Sequence, residues 1–134
     1  MDRVWIDSNL IIRIVTNDPH KQTAKAVSFL KKAERGDFSL IMNPLVVAEC
    51  VWVLTSFYKH SRASVAAALA KVLTNPGLDV LDERDVQNAL QLMAQKNVDF
   101  ADAYLATKAQ TEGESVASFD KDFRKLGVKR TTIG

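Results

Sequence analysis

Short apolar runs of β type recur along the chain with helical patterns between them. They are Val4-Trp5-Ile6, Phe38 to Met42, Leu78 to Leu81 and Ser115 to Phe119, with Lys129 to Ile133 as a last strand-like segment. Strands that alternate with helical segments are joined by crossovers, which restricts the chain to an α/β sandwich on a largely parallel sheet.

The intervening segments carry helix punctuation. Ser8 and Asn9 are N-cap residue types ahead of a brief helix from Leu10 to Val15. Asp18-Pro19 opens a second helix, with proline expected at its first position and Gly36 as its stop. Asn43-Pro44 repeats the signal and opens a strongly apolar helix to about Tyr58. Ser61 begins another that runs to the Asn75-Pro76-Gly77 break. Glu83 to about Asn97 is a polar-faced helix with Val86, Ala89, Leu90 and Met93 inward, Asp99 caps one reaching Gly113, and Asp120 to Leu126 is a short one. With 134 residues and no repeat, low-complexity stretch or linker, residues 1–134 are expected to form one domain.

The net charge of +2 does not by itself announce nucleic-acid binding, so the placement of charge has to carry the argument. Cys50 is the only cysteine, which excludes an intrachain disulfide, and its apolar neighbours predict a buried, inert thiol. No basic region followed by an apolar stretch opens the sequence, and a Glu or Thr interrupts the longest apolar segments before membrane-spanning length. A cytoplasmic protein without membrane association is therefore expected.

Most of the sixteen acidic residues have local explanations. Glu83 and Asp85 suit the first turn of a helix, Asp37 a turn, and Glu112 and Glu114 flank a glycine. Four others do not reduce so easily. Asp7 and Asp120 each follow a strand at its carboxyl end, where parallel sheets bind ligands, although each also suits a helix N-cap. Glu49 lies inside Leu45-Val46-Val47-Ala48-Glu49-Cys50-Val51-Trp52-Val53-Leu54, a helix apolar nearly all round, and is expected to be largely buried and to need a cation. Asp102 shares its helix face with Leu105, Ala106 and Ala109, which directs it toward the sheet. Four carboxylates at one sheet end repel one another, and a hard divalent cation such as Mg²⁺ resolves that. Such ions activate water and stabilise the oxyanions of an in-line attack on a phosphodiester. Asp99 and Asp122 are secondary candidates as ligands, with Asp99 better suited to capping and Asp122 to the first turn of its helix.

Other chemistries fit poorly. His20 and His60 are far apart, have no metal-type partner at helical spacing and are expected to face solvent; no GxSxG elbow, HExxH pair or P-loop is present. A receiver-like phosphoacceptor domain would need an acidic pair after its first strand, which here ends in Asp7-Ser8, and an acceptor Asp after a middle strand, where Met42-Asn43 stands.

The acids sit in a set of motifs: Ile6-Asp7-Ser8-Asn9-Leu10, Val47-Ala48-Glu49, Asp99-Phe100-Ala101-Asp102-Ala103-Tyr104-Leu105-Ala106, and Ser118-Phe119-Asp120-Lys121-Asp122-Phe123. Their order and spacing through nearly the whole chain resemble the PIN-domain family, in particular the VapC-type toxins of toxin–antitoxin pairs. The resemblance implies a PIN-like three-layer sandwich with four or five mainly parallel strands and about seven helices. It also implies a metal-dependent endoribonuclease whose Mg²⁺ or Mn²⁺ is held by Asp7, Glu49, Asp102 and Asp120, with Asn9 and Ser118 as polar supports. Homodimers and neutralisation by a cognate antitoxin follow from the same resemblance. A PIN-like module that binds RNA or protein without cleaving is the alternative, against which the retention of all four acids counts.

RNA approaching acidic residues needs cations nearby. Arg13, Lys121, Arg124, Lys125, Lys129 and Arg130 are close in sequence to the site motifs and form a candidate steering rim. No stacking motif of aromatic and basic residues stands out. Trp52, Phe57 and Tyr58 are expected in the core, yet the helices from Asn43 to Leu73 offer more apolar surface than a small sheet can cover, which points to an antitoxin groove or a dimer contact there.

Overall fold

The computed structural model describes residues 2–134, apart from the side chain of His20, so the expectation for that histidine lies outside the described residues. Three parallel strands, β1 (Asp2–Trp5), β2 (Phe38–Met42) and β3 (Leu78–Val80), lie side by side in that order. The register pairs Trp5 with Ile41 and Met42 with Val80, so all three carboxyl ends lie at one edge of the sheet.

The described residues form six α-helices: α1 (Ser8–Thr16), α2 (His20–Glu34), α3 (Pro44–Trp52), α4 (Arg62–Val72), α5 (Glu83–Lys96) and α6 (Phe100–Thr111). A 3₁₀ turn at Lys121–Lys125 replaces the short helix expected after Asp120. A small cluster of Leu30, Ala33 and Leu40 ties α2 to the sheet. The main core joins α1, α3, α4, α5 and α6 through residues such as Ile11, Val47, Leu69, Leu90 and Ala106. The result is the α/β sandwich anticipated from the alternation of elements.

Caps explain where the helices start. The Asn43 side chain accepts the Val46 N–H at 3.0 Å, with Pro44 in the first helical position, and Ser61 Oγ accepts the Ser64 N–H at 3.1 Å. Pro19 departs from expectation: it is extended and precedes α2 instead of occupying its first turn. The apolar helix after Asn43 also changes character, because α3 ends at Trp52 and Val53–Phe57 widens into a π-helical turn closed by Tyr58 N–H to Val53 O.

The sheet has three strands instead of four or five. The segments 115–119 and 129–133 pair through a single parallel bridge, Val116 to Arg130, with hydrogen bonds from Val116 N to Lys129 O and from Thr131 N to Val116 O. Val116 is the one buried residue of its segment; Ser115, Ala117, Ser118 and Phe119 are exposed, so no apolar face extends the pairing.

Candidate metal centre

Asp7 lies two residues beyond β1 and is the true N-cap of α1, with Oδ1 accepting the Asn9 N–H at 3.1 Å. Asp120 is held the same way, its Oδ1 accepting the Asp122 N–H at 2.9 Å, while its own N–H donates to Ser118 Oγ at 3.0 Å. Capping and ligation are compatible, since a carboxylate offers several acceptor sites on two oxygens. Ser118 thus fixes the turn that presents Asp120, and the Asn9 backbone orients Asp7.

Carboxylate oxygens of Asp102, Asp120 and Asp122 all lie within 4.8 Å of one another. That spread suits ligands of one hard cation with bonds of about 2.0–2.6 Å. Asp102, at the start of α6, is half-buried, and its pKa is raised first by burial and then by the Asp120, Asp99 and Asp122 carboxylates. A carboxylate whose charged form is disfavoured by burial and by neighbouring carboxylates is one that a cation would relieve. Arg62 on α4 acts in the opposite direction on Asp102 while donating to the Asn97 carbonyl at 2.8 Å. Arg62 lies 40 residues from Asp102 in sequence, and only the packing of the helices brings its charge to the site. Asp122 likewise enters the group through the folding back of the 3₁₀ turn.

Asp7 and Glu49 stand outside that three-residue group. Both act on the buried Cys50 thiol, whose pKa is pushed up to about 12 by burial, by Glu49 and by Asp7, in that order. The inert thiol is as expected. Glu49 and Asp99 line a common cavity of about 550 Å³ with Leu45, Ala48, Trp52 and Phe100 among its walls.

Two expectations about these acids need correction. Glu49 is exposed, not buried. α3 buries Val47, Cys50 and Val51, while Leu45, Ala48, Glu49 and Trp52, at helical spacing, occupy its open face. Asp99 occupies the N-cap position of α6 but makes no side-chain capping bond, which leaves its carboxylate to the cavity. Trp52 and Phe57 are also corrected from core to surface, at 67% and 72% exposed, and only Tyr58 is half-buried. Leu105, placed on Asp102's packing face from its spacing, is half exposed, while Ala106 is buried.

Cations flank the acids on two sides. Arg13 lines a cavity with Asp7, Asn9 and Lys25, its Nε donating to Gln22 at 2.7 Å. Lys121, Arg124 and Arg130 line another with Ser118 and Asp120. Lys125 pairs weakly with Asp122 at 3.8 Å. His60 is exposed, as expected.

A group of carboxylates this close together in a parallel α/β fold is of the class that can hold a divalent cation. The family profile described as PIN domain matches residues 4–129, and the chain belongs to that family. PIN domains are in general nucleases that use divalent metals. No curated protein matches the chain.

Proposed function

We infer that the protein, a single PIN domain over residues 1–134, is a metal-dependent endoribonuclease that hydrolyses RNA phosphodiester bonds. The observation that carries this reading is the convergence of the Asp102, Asp120 and Asp122 carboxylates within 4.8 Å. Asp7 and Glu49 complete the acidic edge, with Asn9 and Ser118 supporting it. Mg²⁺ or Mn²⁺ bound there would activate a water and stabilise the developing phosphate charge. The chain's own contribution is to fix the acids: Ser118 and the 3₁₀ turn hold Asp120, the cap of α1 holds Asp7, and Arg62 offsets the repulsion at Asp102. Arg13, Lys121 and Arg124 attract the backbone of the substrate.

A VapC-type toxin role adds two partners, a second copy of the chain and a cognate antitoxin. Support comes from α3 and the π turn after it: Leu45 (75% exposed) and Trp52 line one cavity with Glu49, and the exposed Phe57 lies on the turn. Large exposed apolar groups on a single element mark an interaction surface. No helix among the described residues is long and apolar enough to cross a membrane.

The test is RNA cleavage by the purified chain with Mg²⁺ or Mn²⁺, with EDTA, and with Asp7→Asn. Asparagine keeps the cap of α1 and removes the ligand charge. Cleavage that needs metal and is lost in a folded Asp7→Asn establishes the nuclease. Metal-independent cleavage, or equal cleavage by both proteins, contradicts it, and absence of cleavage on several RNAs favours a binding module.

A further inference from the structure

Phe119 stands between Ser118 and Asp120 with 86% of its surface exposed, the most exposed large hydrophobic residue of the described chain. An isolated aromatic ring costs free energy in water, and neither sheet nor core covers this one. It borders a cavity of about 330 Å³ whose other walls include Lys121, Arg124, Arg130 and Thr131. Among the described residues, none of Lys121, Arg124 and Arg130 has a carboxylate within ion-pair distance, although Asp120 and Asp122 lie in the same stretch of chain. The cations are therefore not consumed internally.

The cavity has fixed walls. The Val116–Arg130 bridge and the Thr131 N–H to Val116 O bond at 2.9 Å pin the terminal segment beside the segment that carries Phe119. The Ser115 and Thr131 hydroxyls are also hydrogen-bonded. Asp120 is shared between this cavity and the acidic group, so an occupant of the cavity sits next to the metal centre.

We propose that this cavity is a subsite for an unpaired nucleotide of single-stranded RNA, its base stacked on Phe119 and its flanking phosphates held by Lys121, Arg124 and Arg130. The proposal rests on the nuclease reading for its adjacency to the scissile bond. A flat aromatic ring ringed by unpaired cations matches single strands, because a base has to leave its helix to present a face, while duplex RNA shows proteins mainly its backbone. The subsite thus makes the enzyme selective for unpaired positions and neutral toward most base identities.

The experiment is fluorescence anisotropy of a labelled oligoribonucleotide of about ten nucleotides, as a single strand and as a duplex, in EDTA at low salt, with the full chain, Phe119→Ala, Phe119→Trp and Arg130→Ala. Thermal melting of each variant confirms folding. The expected result is single-strand affinity lower by about 5- to 150-fold in Phe119→Ala, the range of one lost base stack, retained in Phe119→Trp, with duplex binding unchanged. Arg130→Ala should reduce the salt dependence by about one phosphate contact. Unchanged affinity in Phe119→Ala, or an equal loss for duplex, overturns the subsite. A chain that cleaves RNA with an unaltered KM in Phe119→Ala keeps the nuclease and loses the subsite. One that binds single strands through Phe119 and never cleaves keeps the subsite and loses the nuclease.

Discussion

Lys108 Nζ lies 3.0 Å from Oδ2 of Asp85, a carboxylate almost fully withdrawn from solvent. The pair joins α6 to α5, and it extends to Asp82, which takes hydrogen bonds from Tyr104 and Lys108. Thr111 adds a bond to Asp85. A buried acid without such partners is strongly destabilising, so the network fixes the position of α6 against α5. Asp99 and Asp102 stand at the start of that same helix, and their placement depends on its being held.

The network contributes to the pH dependence of stability. Burial and the Asp82 bond raise the Tyr104 pKa from 10.0 to about 12, so the fold favours the neutral phenol. Its stabilising contribution is complete below about pH 10 and is lost as pH rises through about 12. Asp82 is shifted the other way, downward, first by the Tyr104 hydrogen bond and also by Lys108. Its contribution is present above the usual carboxylate range and lost as pH falls through its lowered value. Melting temperature against pH should decline at both ends, and Tyr104→Phe should flatten the alkaline decline between pH 10 and 12. An alkaline limb identical in the variant would show that the shift belongs elsewhere.

Gly77→Ala should destabilise by about 1–3 kcal/mol, the usual cost of overpacking. A Cβ there would lie 2.9 Å from Ala33 Cβ and 3.0 Å from the Glu34 backbone nitrogen, where β3 begins against the end of α2. Urea denaturation reads the difference, and a midpoint equal to that of the unaltered chain would mean that α2 moves aside at no cost.

If the proposed dimer forms through α3, Trp52→Glu should leave a folded monomer, judged by light scattering, whose melting temperature no longer rises with protein concentration. The residue is an exposed apolar side chain of α3, while the buried face of Val47, Cys50 and Val51 is untouched. An unaltered chain that is monomeric at high concentration would remove the dimer from the account.

Local chemistry made much of this legible in advance. Asn43-Pro44 and Ser61 cap their helices with side-chain bonds, and the three parallel strands fall on the apolar runs. Tertiary placement was less legible. The apolar run around Glu49 reads as buried because composition does not show which face of α3 is left open. Phe119 reads as a strand residue, whereas its neighbours Ser118 and Ala117 supply no face for a ladder to cover. Asp122 and Arg62 approach the site only through packing, at positions where helical spacing gives no signal. Asp99 shows that occupying a cap position does not guarantee a capping bond.

The most direct test of the metal centre is calorimetric titration of Mn²⁺ into the full chain, Asp102→Asn and Asp120→Asn. Asparagine at 120 can still accept the Asp122 N–H, so the turn is preserved while the charge is lost. The account predicts saturable binding by the unaltered chain, weakened by more than about tenfold in each variant, with Mn²⁺ at 100 times Kd stabilising the unaltered fold by about 2.7 kcal/mol. Equal Mn²⁺ affinity in all three proteins, or none in the unaltered chain, would contradict a metal centre at these carboxylates.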